Sequence, residues 1–332
     1  MTWTASVLPL PRGFFGAGSA GLCGGAVVGN VEAAQGGSRV CLWDGEGPWV
    51  VDTGASRLQA RSARQTTIAG AVRRRSGSLA ALLRFGPEGE ARVVSLHPRG
   101  FLESVAAATD GDTRVGSGRT ATSGAALLWP GTGAAPTILP DPGGEGARAL
   151  GVRDGLVAGA AGWPSRAVLW RGTGEPVSLH PQEAGWSEAL GVGDGEQVGL
   201  IARTEEAFLA GNVLPVVWRG SAATMTKLLP GGCTAGRAVD VLEGVQVGSV
   251  RGGGVERAAL WSGTAASHVD LHGLVGGDWT DSAAQSIHRR EGALCVLGEV
   301  RRMAPDRRGI AARQVVVWTS TSPSREPRSP RS

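Results

Sequence analysis

Tyrosine is absent from this 332-residue chain, lysine occurs once, at Lys227, and no apolar run approaches the length of a membrane helix. Each scarcity closes a route. A bilayer-crossing helix needs about 20 consecutive apolar residues, so no membrane association is expected. The opening "MTWTASVLPLPRGFF" has neither the basic start nor the long apolar stretch of a secretory leader, which makes a cytoplasmic location the expectation. Four cysteines (Cys23, Cys41, Cys233, Cys295) stand far apart with no Cys-x-x-Cys pair. They are too few for a disulfide scaffold and wrongly spaced for zinc, which leaves buried free thiols and no metal. Without lysine, nearly all positive charge is arginine, a bias in keeping with a GC-rich genome. The formal net charge is only +4, and much of the arginine excess lies in the last residues, so no nucleic-acid partner is expected.

Glycine, by contrast, is abundant at 54 residues, and part of it is periodic. Val-Gly or an equivalent pair recurs at Gly29, Gly70, Gly116, Gly159, Gly199, Gly248 and Gly298. An apolar strand follows each, ending near Trp43, Trp129, Trp170, Trp218, Trp261 and Trp318; in "ALLRFG" Arg84 takes the Trp position, with Phe85 as a substitute ring. Intervals of about 40 to 50 residues suggest propeller blades or another repeat array.

Within one period, "RALGV" and "LVAGA" flank Asp154-Gly155, and "RAVLW" and "PVSLH" flank "RGTGE". Asp-Gly between β-type runs signals a two-residue hairpin, because that turn needs positive φ at its central residues. Asp110-Gly111 and Asp194-Gly195 repeat the signal. Each period thus predicts four short antiparallel strands, a to d, without helical periodicity between them. The fold class expected is all-β: a seven-bladed β-propeller of four-stranded antiparallel blades over 1–319, followed by a disordered Ser/Pro/Arg-rich tail over 320–332. The last period lacks a strand d, and "SVLPLP" (Ser6 to Pro11) resembles the missing piece, so the N-terminal strand is expected to complete the final blade.

The repeated Trp residues read first as core, since a large ring suits the space between blades. The parts "SEALGVGDGEQVG", "SRAVLWRG" and "ERAALWSG" resemble the bacterial HAF repeat, with His missing before the Ala and Phe replaced by Val, Ala or Leu. That resemblance extends to about Ser320 and implies a propeller-like all-β array, with no catalytic residues to carry over.

Several motifs dissolve on inspection. "GAGSAG" (Gly16 to Gly21) matches a dinucleotide loop but is followed by a strand and turn, not a helix. "HVDLH" puts His268 and His272 on a strand, roughly 13 Å apart, too far for joint metal chelation. His97, His180 and His272 recur at one repeat position, which points to a shared structural bond with a neighbouring backbone carbonyl. "DGD" (Asp110 to Asp112) reads as a hairpin, not a calcium loop. No cofactor is expected.

What remains is a surface. In a propeller the d-to-a and b-to-c loops emerge at one end. The first set carries Phe101, Trp186 and Trp279 beside charged residues; the second carries Arg74 within "RRR", and Arg302 and Arg308 within the longest insertion. These six are the candidate binding residues for a protein partner of a monomeric, non-enzymatic scaffold. The alternatives are a hydrolase or lyase centred on the channel, and a glycan-binding propeller.

Overall fold

The computed structural model describes residues 2–33, 36–54, 58–86, 89–131, 135–304 and 309–321. Among them the chain is almost wholly β-strand. Helix is confined to Glu205–Leu209 and three short 3-10 turns, and no helix is long and apolar enough to cross a membrane. The repeat folds as the hairpin signals require. Ala147–Arg153, Leu156–Ala161, Arg166–Arg171 and Val177–Ser178 pair antiparallel in sequence order as strands a to d. Three more four-stranded sheets, from Glu103–Thr109 to Thr137–Ile138, Trp186–Gly193 to Thr226–Lys227, and Ala235–Leu242 to Val269–Asp270, stand alone in the same order.

The other twelve strands form one connected sheet. Its antiparallel ladders run from Phe14–Cys23 to Pro48–Val50, from Leu58–Arg64 to Ala91–Ser95, and from Asp281–Arg290 through Ala293–Met303 to Ile310–Thr321. These runs touch through single parallel bridges, Gly16 with Arg313 and Gly21 with Ala63. Thr2–Val7 adds to the last run, antiparallel to Ile310–Thr321, from Thr2 opposite Thr321 to Val7 opposite Val316. The paired strand therefore lies a few residues before the Ser6–Pro11 stretch read from sequence. Pro9 and Pro11 have no N–H for a ladder, and the last bond is donated by Leu8 N to Val315 O, 2.9 Å.

Two of the three Asp-Gly signals form the expected a–b turn; at Asp110-Gly111 the strands part at Thr109 opposite Arg114, two residues wider, and Asp110 has no positive φ. Asp154-Gly155 and Asp194-Gly195 hold φ of 51° and 79° or less in the left-handed region, as a two-residue turn demands, and Glu243-Gly244 and Glu291-Gly292 do the same without an Asp. The recurrent Val-Gly has a different cause. Opposite each of the seven glycines strand a carries a β-bulge, for example between Ala149 and Gly151 opposite Gly159, and between Ala189 and Gly191 opposite Gly199. The bulge lifts a strand-a carbonyl into the place a Cβ would take: Arg148 O at Gly159, Glu188 O at Gly199, Arg237 O at Gly248. Only glycine fits such a backbone approach.

The same glycines seat the indoles. A Cβ on Gly29, Gly159 or Gly298 would stand 3.0, 2.8 or 2.9 Å from Cζ3 of Trp43, Trp170 or Trp318. Register identifies the equivalent residue in every unit: Gly29 pairs with Cys41, two before Trp43, and Gly159 with Val168, two before Trp170. Gly70 pairs with Ala81, so Leu83, and not Arg84, occupies the Trp position in that unit. Side chains alternate along a strand, so the shift by one sends Arg84 to the other face; Arg84 is exposed and Leu83 buried.

Apolar faces of successive units pack in clusters, and six of these clusters hold one strand-c Trp each. The cluster between the units starting at Phe14 and Leu58 has Leu83 instead. Four indoles also donate Nε1–H to a carbonyl at the end of the preceding strand d: Trp43 to Pro9, Trp129 to Leu96, Trp170 to Pro140 and Trp318 to Leu271, at 2.7 to 2.9 Å. Trp170→Ala removes a fully buried ring and one such bond, and should lower the free energy of unfolding by about 3 to 5 kcal/mol, measured by urea denaturation.

Candidate functional site

Strands a to d alternate in direction, so the d-to-a and b-to-c connections lie at one end of every unit and the a-to-b and c-to-d connections at the other. The polar residues at and between the units are largely committed to structure. His97 Nδ1 lies 2.7 Å from Ser104 Oγ, His180 Nδ1 2.7 Å from Ser187 Oγ, and His272 Nδ1 2.9 Å from Ser282 Oγ. Each serine opens strand a of the next unit and accepts a backbone N–H from strand c of the preceding one: Ala80, Ala167 and Ala258, at 2.8 to 2.9 Å. Having accepted that bond, the hydroxyl has its own proton for the imidazole. The recurring histidine thus binds a buried serine, and at His180 and His272 it also meets the neighbouring backbone carbonyl expected from sequence, that of Ala184 and of Trp279; the histidine–serine pair is a clasp between units.

A cavity of about 480 Å³ is lined by strand a of every unit, including Ala20, Ala63, Ala108, Gly151, Gly191, Val239 and Ser286. Small side chains and bulges keep the seven strands close. Its carboxylate, Asp240, accepts from Val241 N and Ile287 N, both 2.9 Å, and from Arg153 Nη2 at 3.4 Å. His288, beside them, bonds Ser286 Oγ at 2.9 Å. Burial pushes the His288 imidazole down to about 4. Toward the loop end, charges form a relay: Arg313 pairs with Glu32 and Glu299, and Arg301 with Glu299 and Glu256. Burial alone would raise the Glu256 carboxyl, yet Ser249, Arg301 and Arg237 outweigh it and hold it below the ordinary value. Among the described residues no three His, Cys, Asp or Glu side chains converge as metal ligands do. The cysteines are free, three of them buried, and burial pushes the Cys41 thiol up to about 12.

The candidate binding residues separate into different environments. Trp279 is half-buried, with the Arg302 guanidinium 5.3 Å from its ring centroid and Arg302 also paired to Asp278, so these two do meet in a cation–π contact. Phe101 folds over Gly118, where a Cβ would strike its ring, and so staples its loop to the sheet. Arg74 is exposed. Arg308 lies outside the described residues.

Trp186 needs correction as a contact residue, because only 1% of it is exposed. Its ring is stacked on Phe208 at 4.5 Å and is met edge-on by Trp163 at 4.7 Å. The accessible ring of this cluster is Trp163, 62% exposed, in the b-to-c turn "GWPSR". Its signal was a Trp outside the repeat position. Other side chains missed by attention to aromatics with charge are Leu102, Leu209, Leu274 and Ile310. With Phe15 and Trp163 they make six of the ten large apolar side chains exposed among the described residues, all at the d-to-a and b-to-c end.

No protein-family model and no curated protein matches the chain. Solved structures do. The β-propeller domain of the Trilobed protease from Pyrococcus furiosus, described as having an open velcro topology, is similar with TM-score 0.61 at 8% identity, over 93% of this chain and 94% of that one. An acylaminoacyl peptidase bound to a chloromethyl ketone gives 0.55 at 11% identity, covering 92% of this chain and 51% of that one. The acylaminoacyl peptidase of Pyrococcus horikoshii gives 0.52 at 10% identity, covering 87% and 50%. The chain spans about half the length of those two peptidases, and the likeness is one of β-propeller fold.

The buried histidines set a pH dependence. Burial first, then Arg166 beside His180 and Arg257 beside His272, holds these imidazoles below their ordinary value, as burial does His288. The unfolded chain takes up these protons near about pH 6.5, above the folded pKa values, so it binds more protons in that interval and stability falls on acidification. Urea midpoints should decline from pH 6.5 toward 4, and less steeply in His288→Gln.

Proposed function

We propose that the chain is a seven-bladed β-propeller, closed by Thr2–Val7, that binds a protein partner through the end carrying its d-to-a and b-to-c loops. The blade count rests on the strand-a residues from seven units lining one cavity, and on the seven apolar clusters between units. Closure rests on the ladder between Thr2–Val7 and Ile310–Thr321.

The observation that carries the binding reading is the gathering of Phe15, Leu102, Trp163, Leu209, Leu274 and Ile310 at one end. Scattered exposed apolar residues need no explanation, but a concentration on one face marks an interaction surface. Trp279 with Arg302, and exposed Arg74, supply the aromatic and arginine character that interface centres favour. The six residues differ from blade to blade, which favours one extended partner over repeated equal sugar sites. A channel-centred hydrolase has less support: Asp240, Ser286 and His288 are engaged with backbone, Arg153 or one another, and the peptidase propellers share a fold with this chain at low identity.

A photoreactive side chain at Leu102 or Leu209 should capture one and the same protein in the cells of origin, and Trp163→Ser should reduce the yield. The same group at Val177 or Val269, on outer strands, should capture none. Equal capture from the outer strands, or unrelated proteins at the two loop positions, would contradict this reading.

A further inference from the structure

The central cavity of about 480 Å³ carries positive charge that the fold leaves uncompensated. Its volume is one at which small-molecule sites are found. Strand a of every unit contributes, and the residue left unpaired in each bulge lines the cavity; these are Ala, Leu or Val except at Arg61 and Gln285. The ionisable lining groups among the described residues are Arg61, Arg64, Arg153, Asp240 and His288. Three arginines thus stand against one aspartate, since burial keeps His288 neutral near neutral pH.

Register brings the charged groups to one side. Arg64, Arg153 and His288 are each the third residue past the bulge of their strand, and Asp240 is the first past its own. Alternation puts first and third residues on one face, opposite the second residues Ala63, Val152, Val241 and Ile287, which enter the core. Arg153 is 6% exposed and fixed in place: its Nη1 donates to Val241 O and its Nη2 to Asp240 Oδ1 at 3.4 Å. It crosses Gly193, where a Cβ would stand 2.6 Å from Nη1. Its Nε–H is buried without a partner. Asp240 is occupied by that arginine and by Val241 N and Ile287 N.

Half-buried Arg64 makes no hydrogen bond or ion pair among the described residues, which include every strand a and every a-to-b turn around it. Burial first, then the Arg153 charge, hold its guanidinium below the ordinary value; Asp240, Asp110 and Asp154 each pull the other way more weakly than Arg153. Asp110 is engaged by Thr113 N at 3.1 Å, and neither it nor Asp154 lines the cavity. Ser62 Oγ accepts Thr109 N at 3.2 Å and keeps its own proton to donate. The free side-chain groups around Arg64 are therefore donors, and a buried guanidinium without an acceptor is costly.

We propose that this cavity binds a small phosphate-bearing anion, with Arg64 as the main donor to its oxygens and the Arg153 Nε–H as the second. A tetrahedral oxyanion can accept from guanidinium groups on two different strands, whereas a carboxylate offers two oxygens in one plane. The residues are separate from those of the loop-end surface, so either reading stands or falls alone.

The test is isothermal titration of the full chain, in chloride buffer of fixed ionic strength near neutral pH, with inorganic phosphate and, separately, with glycerol phosphate. One-to-one binding is expected, with acetate binding much more weakly; tighter binding of the ester assigns the site to a phosphorylated small molecule, and tighter binding of phosphate to the free ion. Arg64→Gln should keep the melting temperature of the unliganded chain and weaken binding at least about tenfold, the equivalent of about 1.4 kcal/mol. Arg289→Gln, at an exposed arginine paired with Glu243 outside the cavity, should leave the affinity unchanged. Bound ligand should raise the melting temperature of the natural chain and not that of Arg64→Gln. No binding of either phosphate probe at millimolar concentration, equal affinity for acetate, unchanged affinity in Arg64→Gln, or an equal loss in Arg289→Gln would overturn the proposal.

Discussion

The collision that a Cβ would suffer at seven glycines governs this molecule. Each of Gly29, Gly70, Gly116, Gly159, Gly199, Gly248 and Gly298 lies under a strand-a carbonyl raised by a β-bulge. The bulge bends the inner strand where seven strands crowd round one cavity, and in several units the open space on the glycine receives the indole two pairs along strand c. Larger side chains there would push strand a away, lose the bulge and displace the ring that fills the gap to the next unit. The periodic Val-Gly is thus the sequence trace of a backbone contact, and the inter-unit core depends on it.

Around that core the polar chemistry is repetitive, and repetition itself is informative. A histidine–serine pair on its own would invite a catalytic reading. Here the pair occurs three times in the same place, each serine is buried, and each already accepts a backbone N–H from the preceding unit. A catalytic pair would be needed once, whereas a clasp between units is needed wherever two units meet. Conversely, positions where the repeat breaks are the ones the fold does not explain. Leu83 in place of Trp is one, and the irregular loops that expose Trp163, Leu209 and Ile310 are another.

Much of the architecture was legible because short-range rules dictate it. Asp154-Gly155 announces a hairpin whatever surrounds it, and the missing last strand d could be sought at the N-terminus because the unit is so regular. What could not be read depended on register and on neighbours distant in sequence. Arg84 and Leu83 differ by one residue, which in a strand means opposite faces, and pattern alignment on "ALLRFG" did not see the ladder that pairs Gly70 with Ala81. Trp186 has the composition of a contact residue, but Phe208, brought back by the short helix Glu205–Leu209, and Trp163 from the preceding unit cover it. The serine partner of His180 was missed because Ser187 belongs to the next unit.

Hydrogen exchange of the Thr2–Val7 segment, followed by mass spectrometry on the full chain, tests the account most directly, since the proposed closed seven-unit arrangement requires that strand to be held against Ile310–Thr321. Protection comparable to that of its partner strand is predicted. Exchange at the rate of an unstructured peptide, with Ile310–Thr321 equally open along its outer edge, would contradict closure and with it the ring on which both proposed sites are built.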